Sequence, residues 1–186
     1  MARWNRGTMT NKLSGLQIKL SSLSRKTSVM ISACLLGIEC RYDGRHSRCS
    51  DLIDFLPSIH AIPFCPEQLG GLTTPRSPAD IRGGDGYDVL AGRAKVVNNL
   101  GHDVTDPFAR GAHVALSMAR LTGSPMAVLK DKSPSCGIQT PYCDNPAGLG
   151  IGVTAALLES SGIKIFAMDS DDTFPSESFI DVLLPP

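Results

Sequence analysis

The stretch MAVLKDKSPSCG, Met126 to Gly137, decides how this chain folds. Met126 to Leu129 is a short apolar run bounded by polar residues, which predicts a buried strand. It runs through Lys130-Asp-Lys132 into Ser133-Pro-Ser-Cys136. Pro134 biases the residue before it away from helix, so this loop is extended. A thiol therefore stands in a loop beyond the carboxyl end of a strand. Upstream, Asp106 to Leu121 reads as a helix buried through Phe108, Ala112, Ala115 and Ala119. Thr105 suits its N-cap, Asp106 and Pro107 its first turn, and Gly123 its end.

Working outward, the same pattern recurs. Val29 to Ala33 is a short apolar strand that ends at Cys34. His60 to Phe64 is a second, weakened by Pro63, and it ends at Cys65. Ile163 to Ala167 is a fourth, preceded by a helix over Val153 to Glu159 that is entered from the glycine-rich GLGIG. Ser50 to Leu56 suits a short helix with Ser50 as N-cap. Cys65 to Ile81 reads as a long ordered loop, and Gly83 to Asn99 as a hairpin with strands Tyr87 to Leu90 and Arg93 to Val97. Apolar strands alternating with helices predict an α/β fold: a mainly parallel, Rossmann-like three-layer sheet flanked by helices, with a β-hairpin insertion. Residues 29–168 form the single expected domain. Residues 1–28 read as a disordered basic extension, and residues 169–186 as a loose tail in which Phe179 to Leu184 has the means to dock.

The 186 residues are 42% apolar and carry no formal net charge. That balance hides an asymmetry: six basic residues precede residue 30 and no acidic residue does, which leaves 12 basic against 18 acidic residues in the body. A body of that sign is not expected to bind nucleic acid. No apolar run approaches the ~20 residues of a membrane span. The basic, Ser/Thr-rich start has no secretory cleavage pattern, so the expected compartment is the cytoplasm, or an organelle if that segment acts as a transit peptide.

Six cysteines are present: Cys34, Cys40, Cys49, Cys65, Cys136 and Cys143. Without a secretory signal a disulfide framework is not expected, and without a CxxC pair neither is an ordinary zinc ribbon. A free cysteine is usually a small buried hydrophobe. Three of these, however, fall at strand ends, where parallel sheets bind ligands, and Cys65 and Cys136 lie beside Pro, Gly or Ser rather than packed aliphatics. Three thiolates at one sheet edge suit zinc, copper or an iron–sulfur cluster. For zinc, Cys40, His46 or His60 would be the fourth ligand. Glu67, two residues after Cys65, is placed to take a proton from water, and Ser133 to donate to a substrate.

The segments SACLLGIECRYDG (32–44), PFCPEQLGGLTTPRSPADI (63–81), GGDGYDVLAG (83–92), DVTDPFARGA (103–112), LKDKSPSCG (129–137) and GLGIGVTAALL (148–158) stand in one order and spacing. In these the chain resembles the thiouracil desulfidase family. The resemblance implies a [4Fe–4S] enzyme that converts 2-thiouracil, or a related thiolated pyrimidine, to its oxo product and hydrogen sulfide without net redox change. It implies Cys34, Cys65 and Cys136 as cluster ligands, Glu67 as catalytic acid/base and Ser133 as a supporting catalytic residue. Cys40 shares the first motif with Cys34; Cys49 and Cys143 match none. A zinc protein, structural or hydrolytic, and a sulfurtransferase with a single cysteine nucleophile are the alternatives. Arg41, Arg76 and Arg82 are candidates to orient substrate, against their reading as surface loop charges.

Overall fold

The computed structural model describes residues 26–184, so most of the basic extension lies outside the described residues. Four parallel strands form the main sheet: β1 (Ser28–Ser32), β2 (His60–Phe64), β5 (Met126–Lys130) and β6 (Lys164–Met168), in the order β2-β1-β5-β6. Val29 pairs with Met126, and Met126 with Lys164. β2 lies at the edge, the position in a sheet where a proline such as Pro63 is tolerated.

Both faces of this sheet are covered. Val29, Ile31 and Val128 pack on one side with α1 (Ser50–Phe55) and α6 (Glu177–Leu183). Met30, Ala127 and Leu129 pack on the other with α4 (Thr105–Thr122) and α5 (Val153–Ser160). Period-two alternation within strands buried on both faces explains why they read as continuous apolar runs. The result is the expected three-layer α/β fold. The C-terminal segment is well docked: Phe179 is fully buried and meets Phe55, Phe166 and Phe174 in ring contacts.

An antiparallel pair, β3 (Ala79–Arg82) with β4 (Lys95–Asn98), makes the insertion, and its membership corrects the sequence reading. Tyr87 to Leu90 is not a strand but part of α3 (Gly86–Leu90). The Asp85 carboxylate accepts the Tyr87 N–H, and Asp88 reaches back to the Asp85 N–H at 3.2 Å. This capping box overrides the strand-like alternation of YDVL. Two expected caps also move one position. Ser50 and Thr105 are first helical residues rather than N-caps. Thr105 Oγ1 instead accepts the Val96 N–H at 2.9 Å and ties β4 to α4, while Asp103 accepts the Thr105 N–H at 3.0 Å.

Candidate active site

The carboxyl ends of β2, β1 and β5 open onto one cavity of about 760 Å³. Cys34 reaches it from a 3₁₀ turn directly after β1, Cys65 from the residue after β2, and Cys136 from the loop after β5. Glu67 and Ser133 line it too. The chain direction away from β1 reverses here, with β2 on one side and β5 on the other, which is where open α/β sheets bind ligands. Cys40 joins this group: it is buried, lines the cavity, and packs in one cluster with Cys34 and Cys65. His46 and His60 do not line it, nor do Cys49 and Cys143.

The segment expected to be a plain loop after Cys65 contains α2 (Pro66–Leu69), which presents Glu67. α2 is held by a close backbone approach to α4. A Cβ at Gly111 would stand 1.9 Å from the Pro66 carbonyl oxygen, and a Cβ at Gly70 would stand 2.0 Å from that of Pro107. Only glycine fits at either contact. Arg110 closes the junction, donating from Nε and Nη2 to the Gly70 carbonyl at 3.0 and 2.7 Å.

The SPSC loop is fixed by α5. The Val153 N–H donates to the Pro134 carbonyl at 3.0 Å, and the Thr154 and Ala155 N–H groups donate to that of Ser135 at 2.8 and 3.1 Å. Helix-start donors that normally need a cap are thereby used to hold the loop. Within the loop, Ser133 Oγ accepts the N–H groups of Ser135 (3.1 Å) and Cys136 (3.2 Å). Its oxygen shapes the turn, and the residue lines the cavity. Asp131 supports the far side of the loop, accepting from Ile138 and Gln139 at 3.0 and 3.1 Å.

Glu67 lies between a thiol and a guanidinium. Cys65 Sγ donates to Glu67 Oε2 at 3.3 Å, and Arg76 Nη2 stands 3.4 Å from Oε1. Three of the thiols, Cys40, Cys65 and Cys136, are held above their ordinary value. The side-chain hydrogen bond to Cys34, followed by burial, pushes Cys40 up to about 12. Its hydrogen bond with Cys40, burial and the Glu67 charge raise Cys65 as well. Burial, then the Glu67 charge, raises Cys136. Such thiols ionise when a cation compensates the charge. Among the described residues no three His, Cys, Asp or Glu side chains are arranged to hold a single metal ion. What the cavity offers is a donor set of buried thiols contributed by three strand ends, which fits a thiolate-ligated iron–sulfur cluster.

Arg76, named in the sequence as a candidate to orient substrate against its reading as a surface charge, has a largely buried side chain, only 10% exposed. Arg41 also lines the cavity, yet it bonds Ser47 Oγ at 2.6 Å and pairs with Asp43 at 3.3 Å. Arg82 lies outside it, exposed and paired with Asp80 and Asp144. Ser32, which the sequence reading missed, is buried in the cavity wall and accepts the Lys130 N–H at 3.0 Å. The position of Ser32, two residues before Cys34, was the available signal.

Residues 29–170 match the 2-thiouracil desulfurase family. An uncharacterized protein of Bacillus subtilis (strain 168), YbbK, is 42% identical over 142 residues, covering 75% of this chain and 94% of its own. A solved structure of the [4Fe–4S]-dependent thiouracil desulfidase TudS superposes with a TM-score of 0.64 at 40% identity, covering 76% of this chain and 91% of that one. With the family match spanning most of the chain, this protein belongs to the 2-thiouracil desulfurase family.

Proposed function

We propose that this chain hydrolyses the C=S bond of 2-thiouracil or a related thiolated pyrimidine, giving the oxo product and hydrogen sulfide. The observation that carries the reading is the convergence of buried thiols and Glu67 on one cavity, with Cys65 Sγ 3.3 Å from the Glu67 carboxylate. Water supplies the oxygen and two protons leave with sulfur, so no electrons are exchanged. Cys34, Cys65 and Cys136 would hold a [4Fe–4S] cluster; Cys34 is preferred over Cys40 because it follows β1 directly. Three thiolates on such a cluster leave one iron open as a soft Lewis acid for a thiocarbonyl sulfur.

The chain's own groups supply positioning and proton transfer. Glu67 accepts a proton from the attacking water and returns one to the departing sulfur. Ser133, with its oxygen engaged by two backbone N–H groups, directs its hydroxyl proton toward the substrate. The test is anaerobic reconstitution with iron and sulfide, followed by a hydrogen sulfide assay with 2-thiouracil beside a Glu67→Ala control. Sulfide release in the parent and its loss in the variant are expected. A reconstituted brown protein that releases no sulfide overturns the activity; zinc without iron or acid-labile sulfide in anaerobically purified protein overturns the cluster.

A further inference from the structure

We propose that Arg76 is the positioning residue that fixes Glu67 against the thiol wall of the cavity, an inference resting on Glu67 as the proton carrier. Arg76 closes a ring of contacts through three separate segments. Its Nη2 stands 3.4 Å from Glu67 Oε1, and its Nη1 donates to the Cys40 carbonyl at 3.0 Å. Opposite, Cys65 Sγ is 3.3 Å from Glu67 Oε2 and 3.6 Å from that same Cys40 carbonyl oxygen. The four residues Arg76, Glu67, Cys65 and Cys40 thus hold one another in a cycle. The Arg76 backbone N–H also donates to the Tyr42 carbonyl at 2.9 Å, fixing the base of the side chain on the loop that bears Cys40.

The chemistry of the residue suits this role and not substrate binding. Both terminal nitrogens already face protein acceptors, with Thr74 Oγ1 a further partner of Nη1 at 3.4 Å. The guanidinium is a rigid fork that spans a carboxylate and a carbonyl together; an ammonium is a single point and engages one of them. Without the fork, the Cys65 thiol is the remaining partner of the Glu67 carboxylate among the contacts above. That thiol belongs to the ligand set and would no longer be a proton donor once ligated. Arg76 is then the one remaining charged hold on the carboxylate named by the contacts above.

The experiment compares Arg76→Met, Arg76→Lys, Glu67→Gln and the Arg76→Met/Glu67→Gln double variant. Arg76→Met is expected to lower kcat about a hundredfold with KM within about threefold, because a misplaced group costs rate rather than binding. Arg76→Lys is expected to recover no more than about tenfold of that loss. In the Glu67→Gln background Arg76→Met is expected to cost nothing further. A raised KM with unchanged kcat, or an additive double variant, overturns the proposal.

A second readout is independent of turnover. In full-length protein freed of iron, alkylation followed by peptide mapping is expected to show Cys65 labelled about tenfold faster in Arg76→Met, because the loop bearing Cys40 opens more often without its Arg76 contacts, with Cys49 unchanged. Parental Cys65 labelling in the variant overturns the positioning role. If the parent loads its cluster yet releases no sulfide from 2-thiouracil, the activity fails and this labelling still decides for or against Arg76.

Discussion

The Val153 N–H donates to the Pro134 carbonyl at 3.0 Å, so the start of α5 and the loop bearing Ser133 and Cys136 are one construction. Gly152 sits at their joint, where an added Cβ would meet the Ser135 carbonyl group at 2.5 Å. Backbone on both sides leaves no flexible group to yield. Gly152→Ala is expected to destabilise the fold by about 2–3 kcal/mol. In a chain of this size that lowers the Tm by roughly 5–10 °C. Calorimetry with iron analysis on the same samples checks it, and bound iron should fall because Cys136 moves with the loop.

The thiols are expected to separate by role. Cys34→Ser, Cys65→Ser and Cys136→Ser are each expected to lose most of the about four irons per chain that a loaded cluster holds. Cys49→Ser, in the core beneath α1, should keep them, and Cys40→Ser tests the neighbour of Cys34 directly. Iron and acid-labile sulfide content after anaerobic reconstitution are the measurements. Full retention in Cys34→Ser with loss in Cys40→Ser would reassign the first ligand.

A substitution remote from the chemistry should silence Glu67. Gly111→Ala puts a methyl group 1.9 Å from the Pro66 carbonyl oxygen and forces α2 away from α4. Glu67 travels with α2, and a displacement of about 1 Å costs on the order of a hundredfold in rate. Steady-state kinetics on the folded fraction, with circular dichroism to establish folding, measure the effect. Parental kcat in that variant would show that the junction does not set the position of Glu67.

The raised thiols give a pH signature with a definite sign. Cys40 is pushed from 9.0 to about 12, so its thiol is neutral below pH 9 in both folded and unfolded chains. Between pH 9 and 12 the unfolded chain ionises first, and stability falls by up to about 1.4 kcal/mol per pH unit for such a group. Protein freed of iron should therefore melt earlier at pH 10 than at pH 8. Loading requires thiolates, so iron uptake should strengthen from pH 6.5 to pH 8.5 with proton release. Flat melting temperatures across pH 8–10 would contradict the burial of these thiols.

At the C-terminal end, Phe179 fills the core between α1 and β6, with ring centroids 5.8 Å from Phe55 and 5.1 Å from Phe166. Phe179→Ala is expected to cost about 3–5 kcal/mol. Urea denaturation reads the loss, and a value below 1 kcal/mol would mean that the segment is dispensable.

The parallel strands were legible because a strand covered on both faces is an apolar run, and MAVLK and VMIS are such runs ending in turn-forming loops, while HAIPF at the sheet edge is only partly covered. The thiols at their ends followed from topology alone. Tyr87 to Leu90 misled because its alternation mimics a strand, whereas the deciding signal was the Asp85/Asp88 pair around a helix start. Arg76 was not legible as a buried charge: its burial depends on Glu67 and the Cys40 carbonyl, brought together from separate segments. The docking of Phe179 depends likewise on rings more than a hundred residues away in Phe55 and nearby in Phe166.

The sheet order has a consequence for how the protein is made. β1 and β2 come early in the chain, but β1 acquires its other neighbour only when Val29 pairs with Met126. Closing so long a loop is slow, and the pairing precedes any reward from it. A ribosome-bound chain that has exposed Cys34 and Cys65 still lacks Cys136. If Cys34, Cys65 and Cys136 hold the cluster as proposed, its delivery is a late event that follows synthesis of β5.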